Sequence, residues 1–68
     1  MREGISTILK NKRKELGLTV KELEKKSGVT FVEINNIELS KNKPTAKTLL
    51  KLADALHLDF DDLFFRDL

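Results

Sequence analysis

The 68-residue chain contains no cysteine, a single histidine and a single proline, and no apolar run approaching the length of a membrane span or a signal sequence. Without cysteine, neither a disulfide nor a thiolate metal site can supply stability, and the composition suits a reducing interior without demanding one. The simplest location is therefore cytoplasmic. One histidine with no Ser-His-Asp or paired-carboxylate arrangement around it leaves no nucleophile with an activating base, so no enzymatic step is expected. A chain this short makes one domain, residues 1–68, with a core near the lower limit for folding without staples and little room for a substrate pocket. No cofactor is implied.

Net charge is only +2, but the charge is unevenly placed. Residues 1–51 hold twelve Lys or Arg against six Glu, whereas residues 52–68 hold Arg66 against five Asp, so a +6 body precedes a −4 end. The basic body is compatible with phosphate binding, and the acidic end would face away from a nucleic acid or toward a partner. A solvated surface on a small helical protein fits the same statistic nearly as well.

Two helix-start signals, Thr19-Val20-Lys21-Glu22 and Thr30-Phe31-Val32-Glu33, stand eleven residues apart. Each reads as a capping box: the Thr hydroxyl accepts from the N–H three residues on, and the Glu reaches back to the Thr N–H. Gly28 ends the first helix about three residues before the second begins, a connection that sets two helices at a steep angle. This is the spacing needed to push one helix into a DNA groove.

Helical periodicity dominates and no strand is expected, so the fold is read as all-α. The first helix runs from about Gly4 to Leu16, turns Ile5, Ile8, Leu9 and Leu16 inward, and stops at Gly17. The second covers about Val20 to Lys26 and buries Val20 and Leu23. The third covers about Phe31 to Leu39 with Ile34 and Ile37 inward. Pro44 and the polar run Ser40-Lys41-Asn42-Lys43 make a loop, after which Thr45 caps a fourth helix, Ala46 to about Leu56. Its inner stripe is Leu49, Leu52, Ala53 and Leu56. His57 ends it, and Asp59 caps a fifth helix, about Phe60 to Phe65. Phe60, Leu63 and Phe64 go to the core. Phe65 and Leu68 are more apolar area than one short helix needs, and are assigned to a dimer contact.

From Ile5 to Phe64 the chain resembles the compact five-helix bundle of phage repressors, Cro proteins and their bacterial relatives (the XRE family). The segments that carry the resemblance are Leu16-Gly17-Leu18-Thr19, Lys21-Glu22-Leu23, Gly28-Val29-Thr30, Ile34, Ile37-Glu38, Lys43-Pro44-Thr45 and Thr48 to Leu56. It implies a helix-turn-helix made of the second and third helices, double-stranded DNA as partner, a homodimer on a palindromic operator, and a regulator, most simply a repressor, encoded by a bacterium or by a phage in a bacterial host. It also implies that Arg13 pairs with Glu38. An arginine within the inner stripe of the first helix needs such a carboxylate if partly buried. The alternative is two unrelated surface charges.

By the same match, Thr30, Phe31, Val32, Asn35 and Asn36 reach the bases. Asn36, and with it Asn35, suits the bidentate edge of adenine, while Phe31 and Val32 offer only apolar contact, for instance with thymine methyls, which leans the site toward A·T. Glu33 would repel phosphate or accept from a cytosine amino group. Lys41, Asn42 and Lys43 fall where relatives contact the sugar-phosphate backbone, and Lys21 with the N–H groups opening the second helix offers another phosphate site. Each lysine alone is as readily a solvated one.

The chain departs from its relatives at several places. Val20 replaces a glutamine, Leu39-Ser40 replaces Asn-Gly and so predicts a differently shaped turn, and His57 stands where glycine is common, though His tolerates left-handed geometry better than most. Phe31 and Val32 also allow a second reading, a protein-binding patch of the kind an antirepressor or accessory subunit would present. His57 with Asp59, Asp61 and Asp62 lacks the spacing of a calcium loop and is explained by capping, so no metal is expected.

Overall fold

Four α-helices follow one another across residues 4–59, the part of the chain that the computed structural model describes: α1 (Ile5–Glu15), α2 (Val20–Ser27), α3 (Phe31–Glu38) and α4 (Ala46–Ala55). No strand occurs among the described residues. The expected fifth helix, its core residues Phe60, Leu63 and Phe64, and the dimer residues Phe65 and Leu68 lie outside them.

Three of the four helices stop in the same way. After α1, Gly17 N–H donates to Lys14 O and Leu18 N–H to Arg13 O, closing a Schellman motif with Gly17 at φ 72°. After α3, Ser40 N–H donates to Ile37 O and Lys41 N–H to Asn36 O, with Ser40 at φ 60°. After α4, His57 N–H donates to Asp54 O and Leu58 N–H to Ala53 O, with His57 at φ 57°. The Leu39-Ser40 turn thus takes the left-handed shape that glycine accepts most easily, despite the non-glycine sequence. Helix α2 ends more simply, with Gly28 at φ 79° donating its N–H to Glu24 O.

These left-handed positions differ in strain, because a Cβ there crowds the following carbonyl by about 1–2 kcal/mol. Part of any gain from His57→Gly is offset by the freer unfolded chain, about 0.4–1 kcal/mol. His57→Gly is expected to stabilise by about 0.5 kcal/mol and to raise Tm by roughly 2–4 °C. Gly17→Ala, where an added Cβ would meet nothing within 4 Å, is expected to lower Tm through strain alone. Thermal unfolding followed by circular dichroism measures both; shifts of the same sign would refute the assignment.

The core is built from Ile8 and Leu9 of α1, Leu23 of α2, Ile34 and Ile37 of α3, Leu49, Leu52, Ala53 and Ala55 of α4, and Leu56. Helix α2 packs on both α3 and α4, and α3 packs on α1. Val29, in the α2–α3 turn, is buried as well, because the tight connection leaves its side chain no exit to solvent. Val20, Ile5, Leu18 and Leu58 pack against this core while half exposed. Leu16 departs from expectation: it is 39% exposed, because α1 ends at Glu15 and Leu16 lies at the cap, where the helical stripe no longer governs direction.

Candidate nucleic-acid interface

The α2–α3 pair is positioned by caps. At the start of α2, Thr19 Oγ1 accepts from Glu22 N–H at 3.1 Å and Glu22 Oε1 accepts from Thr19 N–H at 2.8 Å, the full reciprocal box. The hydrogen bond from the Thr19 N–H, followed by that from its side chain, holds the Glu22 carboxyl below the usual carboxylate range. A carboxyl lowered on folding contributes stability above its unfolded pKa and loses it as pH falls through the folded value. Glu22→Gln is therefore expected to lose less stability than the parent when pH is lowered from neutrality through the carboxylate range. Parallel acid-limb curves in thermal unfolding would refute the coupling.

The start of α3 differs from the sequence expectation. Thr30 Oγ1 accepts from Glu33 N–H at 3.2 Å, but Glu33 does not complete the box. Its Oε1 instead accepts from Thr48 Oγ1 of α4 at 3.2 Å, and Thr48 in turn accepts the hydroxyl of Thr45, the α4 cap, at 3.1 Å. The reason is tertiary: α4 presents a hydroxyl donor to a carboxylate that would otherwise bend back. A second cap reaches α3 from α2, where Glu24 Oε2 accepts from Phe31 N–H at 2.8 Å. Nothing in the local pattern singled out Glu24 or Thr48, since their partners lie seven and fifteen residues away.

The far end of α3 is held by Arg13. Its Nε donates to Glu38 Oε2 at 2.7 Å and its Nη2 to Glu38 Oε1 at 2.9 Å, a bidentate pair, while Nη1 donates to Leu18 O at 2.7 Å. Arg13 is only 9% exposed, and the hydrogen bond to Glu38 raises its pKa against the opposing effect of burial. One guanidinium thus ties α1, the α1–α2 turn and α3 together.

With Glu38 drawn to α1 and Glu33 drawn to α4, the helical repeat turns Val32, Asn35 and Asn36 away from buried Ile34 and Ile37. Val32 is 66% exposed and Phe31, beside it, 37%. Thr30 and Asn35 are exposed and Asn36 is half-buried; neither amide side chain makes a hydrogen bond among the described residues. Lys41, Asn42 and Lys43 are exposed in the loop after α3, and the loop is anchored to Asn36 itself, whose carbonyl accepts from Lys41 N–H at 2.8 Å and Asn42 N–H at 3.4 Å. Lys21 is exposed in the first turn of α2. All nine residues expected to touch DNA therefore lie on α3 and its N-cap, the loop following it, or the opening turn of α2. Lys12 pairs with Glu15 at 3.4 Å on the wet side of α1.

A cleft of about 260 Å³ between the start of α1 and the α3–α4 loop is lined by Ser6, Ser40, Asn42, Lys43 and Pro44, among others, with the Ser40 hydroxyl donating to Ser6 at 3.1 Å. It is smaller than a typical ligand pocket. Among the described residues, no three His, Asp or Glu converge as a metal site would require, and no helix is long and apolar enough to cross a membrane.

Comparison with known proteins fits this geometry. The HTH_3 helix-turn-helix family matches residues 9–63. The HTH-type transcriptional regulator y4dJ of Sinorhizobium fredii is 33% identical over 63 residues, covering 93% of this chain and 82% of that protein. The solution structure of the DNA-binding domain of the P22 c2 repressor superposes with a TM-score of 0.86 at 30% identity, covering 94% of this chain and 84% of that domain. A crystal structure of an HTH_3 family transcriptional regulator from Vibrio cholerae gives a TM-score of 0.82 at 35% identity over 93% of this chain, which spans only 35% of that protein. The chain belongs to the HTH_3 family of helix-turn-helix domains, the DNA-binding, non-enzymatic domain type of XRE/Cro-C1 transcriptional regulators.

Proposed function

We propose that this domain binds a specific DNA operator, with α3 in the major groove and the Lys41-Asn42-Lys43 loop on the sugar-phosphate backbone, and that it acts as a repressor. The observation that carries the reading is the state of α3: both flanks are tied to neighbouring helices through Glu38 and Glu33, while Val32 and Asn35 are exposed, Asn36 is half-buried beside them, and neither amide side chain has a hydrogen-bond partner among the described residues. A rigid helix with a free polar-apolar outer face is what direct readout requires. The N–H groups of Val20 and Lys21, beside the Lys21 side chain, supply a further phosphate contact. The P22 c2 repressor domain supports the repressor role by likeness. Pairing through Phe65 and Leu68 would set two copies of α3 about 34 Å apart on one face of the duplex, and so fit a palindromic operator.

Operator selection followed by fluorescence anisotropy tests this. Asn36→Ala is expected to weaken specific binding by roughly 1–3 kcal/mol and to relax one base position, while Lys43→Ala weakens all sequences alike and lowers the salt slope by about 1. Equal losses with unchanged slopes in both variants would contradict these roles. The exposure of Phe31 and Val32 favours a second reading, a protein-binding face. No binding of the parent to nonspecific duplex at low salt would turn the assignment to that face.

A further inference from the structure

The start of α3 is the place where a DNA-inserted helix ordinarily offers free N–H groups to an anion. Here two of the four leading donors are already engaged within the chain. Phe31 N–H gives its bond to Glu24 Oε2 and Glu33 N–H gives its bond to Thr30 Oγ1, which leaves the N–H groups of Thr30 and Val32. Glu24 belongs to α2 and is half-buried, so its carboxylate is delivered across the turn by helix packing rather than by local sequence.

We propose that Glu24 is a positioning and specificity-determining residue of the interface, a reading that rests on α3 being the DNA-reading helix. It does two things. Its hydrogen bond fixes the backbone at Phe31, and with it the register in which Phe31 and Val32 meet the bases, in addition to the constraint imposed by the Thr30 cap. Its negative charge fills the anion site at the α3 N-terminus, so a phosphate of a misdocked duplex finds that site occupied and repulsive. Discrimination is gained at the expense of nonspecific affinity. The charge balance of the pair agrees with this: α3 contains no basic residue, and Glu33, the acidic residue of its first turn, is drawn toward Thr48 and away from the outer face.

The test separates hydrogen bond from charge. Glu24→Gln keeps an oxygen that accepts from Phe31 N–H and removes the charge; Glu24→Ala removes both. Affinity for a selected operator and for a scrambled duplex is measured by anisotropy across a salt series, with circular dichroism confirming that each variant is folded at the working temperature. Glu24→Ala is expected to steepen the nonspecific salt slope by about 0.9, the effect of one added phosphate contact. It is also expected to lower the ratio of specific to nonspecific affinity roughly fivefold or more, the scale of one base pair's discrimination. Glu24→Gln is expected to show the steeper slope and to lose only the part of that ratio owed to charge, falling between the parent and Glu24→Ala. A merely structural residue would lower both affinities together and leave the slope alone, which would overturn the proposal. An unchanged ratio in Glu24→Ala would overturn it while leaving the DNA-reading role of α3 in place. A parent protein that shows no sequence preference on any selected duplex would overturn both.

Discussion

Glu38→Ala is expected to destabilise the domain by about 3–5 kcal/mol, the cost of leaving a guanidinium buried without its carboxylate. Arg13 keeps one bond, to Leu18 O, but loses the two that neutralise it. A single core below about 70–80 residues rarely supplies more than about 3–5 kcal/mol of net stability, so the variant should be largely unfolded at room temperature. Replacing both partners by apolar residues, as in Arg13→Met with Glu38→Leu, should recover much of the loss, because desolvation of two charges is then avoided. Urea unfolding of the parent, Arg13→Met, Glu38→Leu and the double variant forms a cycle that measures the coupling. A loss below about 1 kcal/mol in Glu38→Ala would mean that the pair behaves as an exposed one, contrary to its burial. The consequence for function is direct, since this pair sets where α3 sits relative to α1.

Ile34→Ala is expected to cost about 2–5 kcal/mol, from lost burial and from the cavity left behind. Ile34 is 1% exposed at the centre of the inner face of α3, and the small core has few other side chains to collapse into the space. Val32→Ala, two residues away, removes one methylene fewer from a side chain that is mostly in water, and its stability should change by less than about 0.5 kcal/mol. The contrast separates folding from recognition on one helix: Ile34→Ala should reduce DNA binding only as far as it unfolds the domain, whereas Val32→Ala should alter base preference in a fully folded protein. Chemical denaturation alongside operator binding checks both halves. A stable Ile34→Ala variant, or a Val32→Ala variant as unstable as it, would contradict the inside-outside assignment of α3.

The features read correctly from the chain are those governed by interactions three to five residues long. Thr19, Thr30 and Thr45 each accept from the N–H three residues on, and that reach depends only on local backbone geometry. The helix stops at Gly17, Gly28 and His57 follow equally from the left-handed conformation required there. The inward sides of α3 and α4 were legible because helical periodicity converts spacing directly into burial at Ile34, Ile37, Leu49, Leu52 and Leu56. The partnership of Arg13 and Glu38, twenty-five residues apart, was reached through family resemblance and the need of a buried cation for an anion.

What only the tertiary structure decided lies wherever a side chain has to choose between a local and a distant partner. Glu33 has the same local invitation as Glu22 to close a capping box, yet it turns to Thr48, because the fold brings that hydroxyl of α4 within hydrogen-bond distance of its carboxylate, whereas the Glu22 carboxylate closes on its own cap. Glu24 reaches Phe31 because Gly28 and Val29 fold the chain back within bonding distance. Leu16, apolar and in register, ends up half in solvent because a cap residue no longer follows the helical repeat, while Val29 is enclosed by the turn it helps to make. Local propensity thus determined the helices and the kind of surface α3 presents. The free energy of packing the four helices, which local spacing does not encode, determined which carboxylates hold that surface in place.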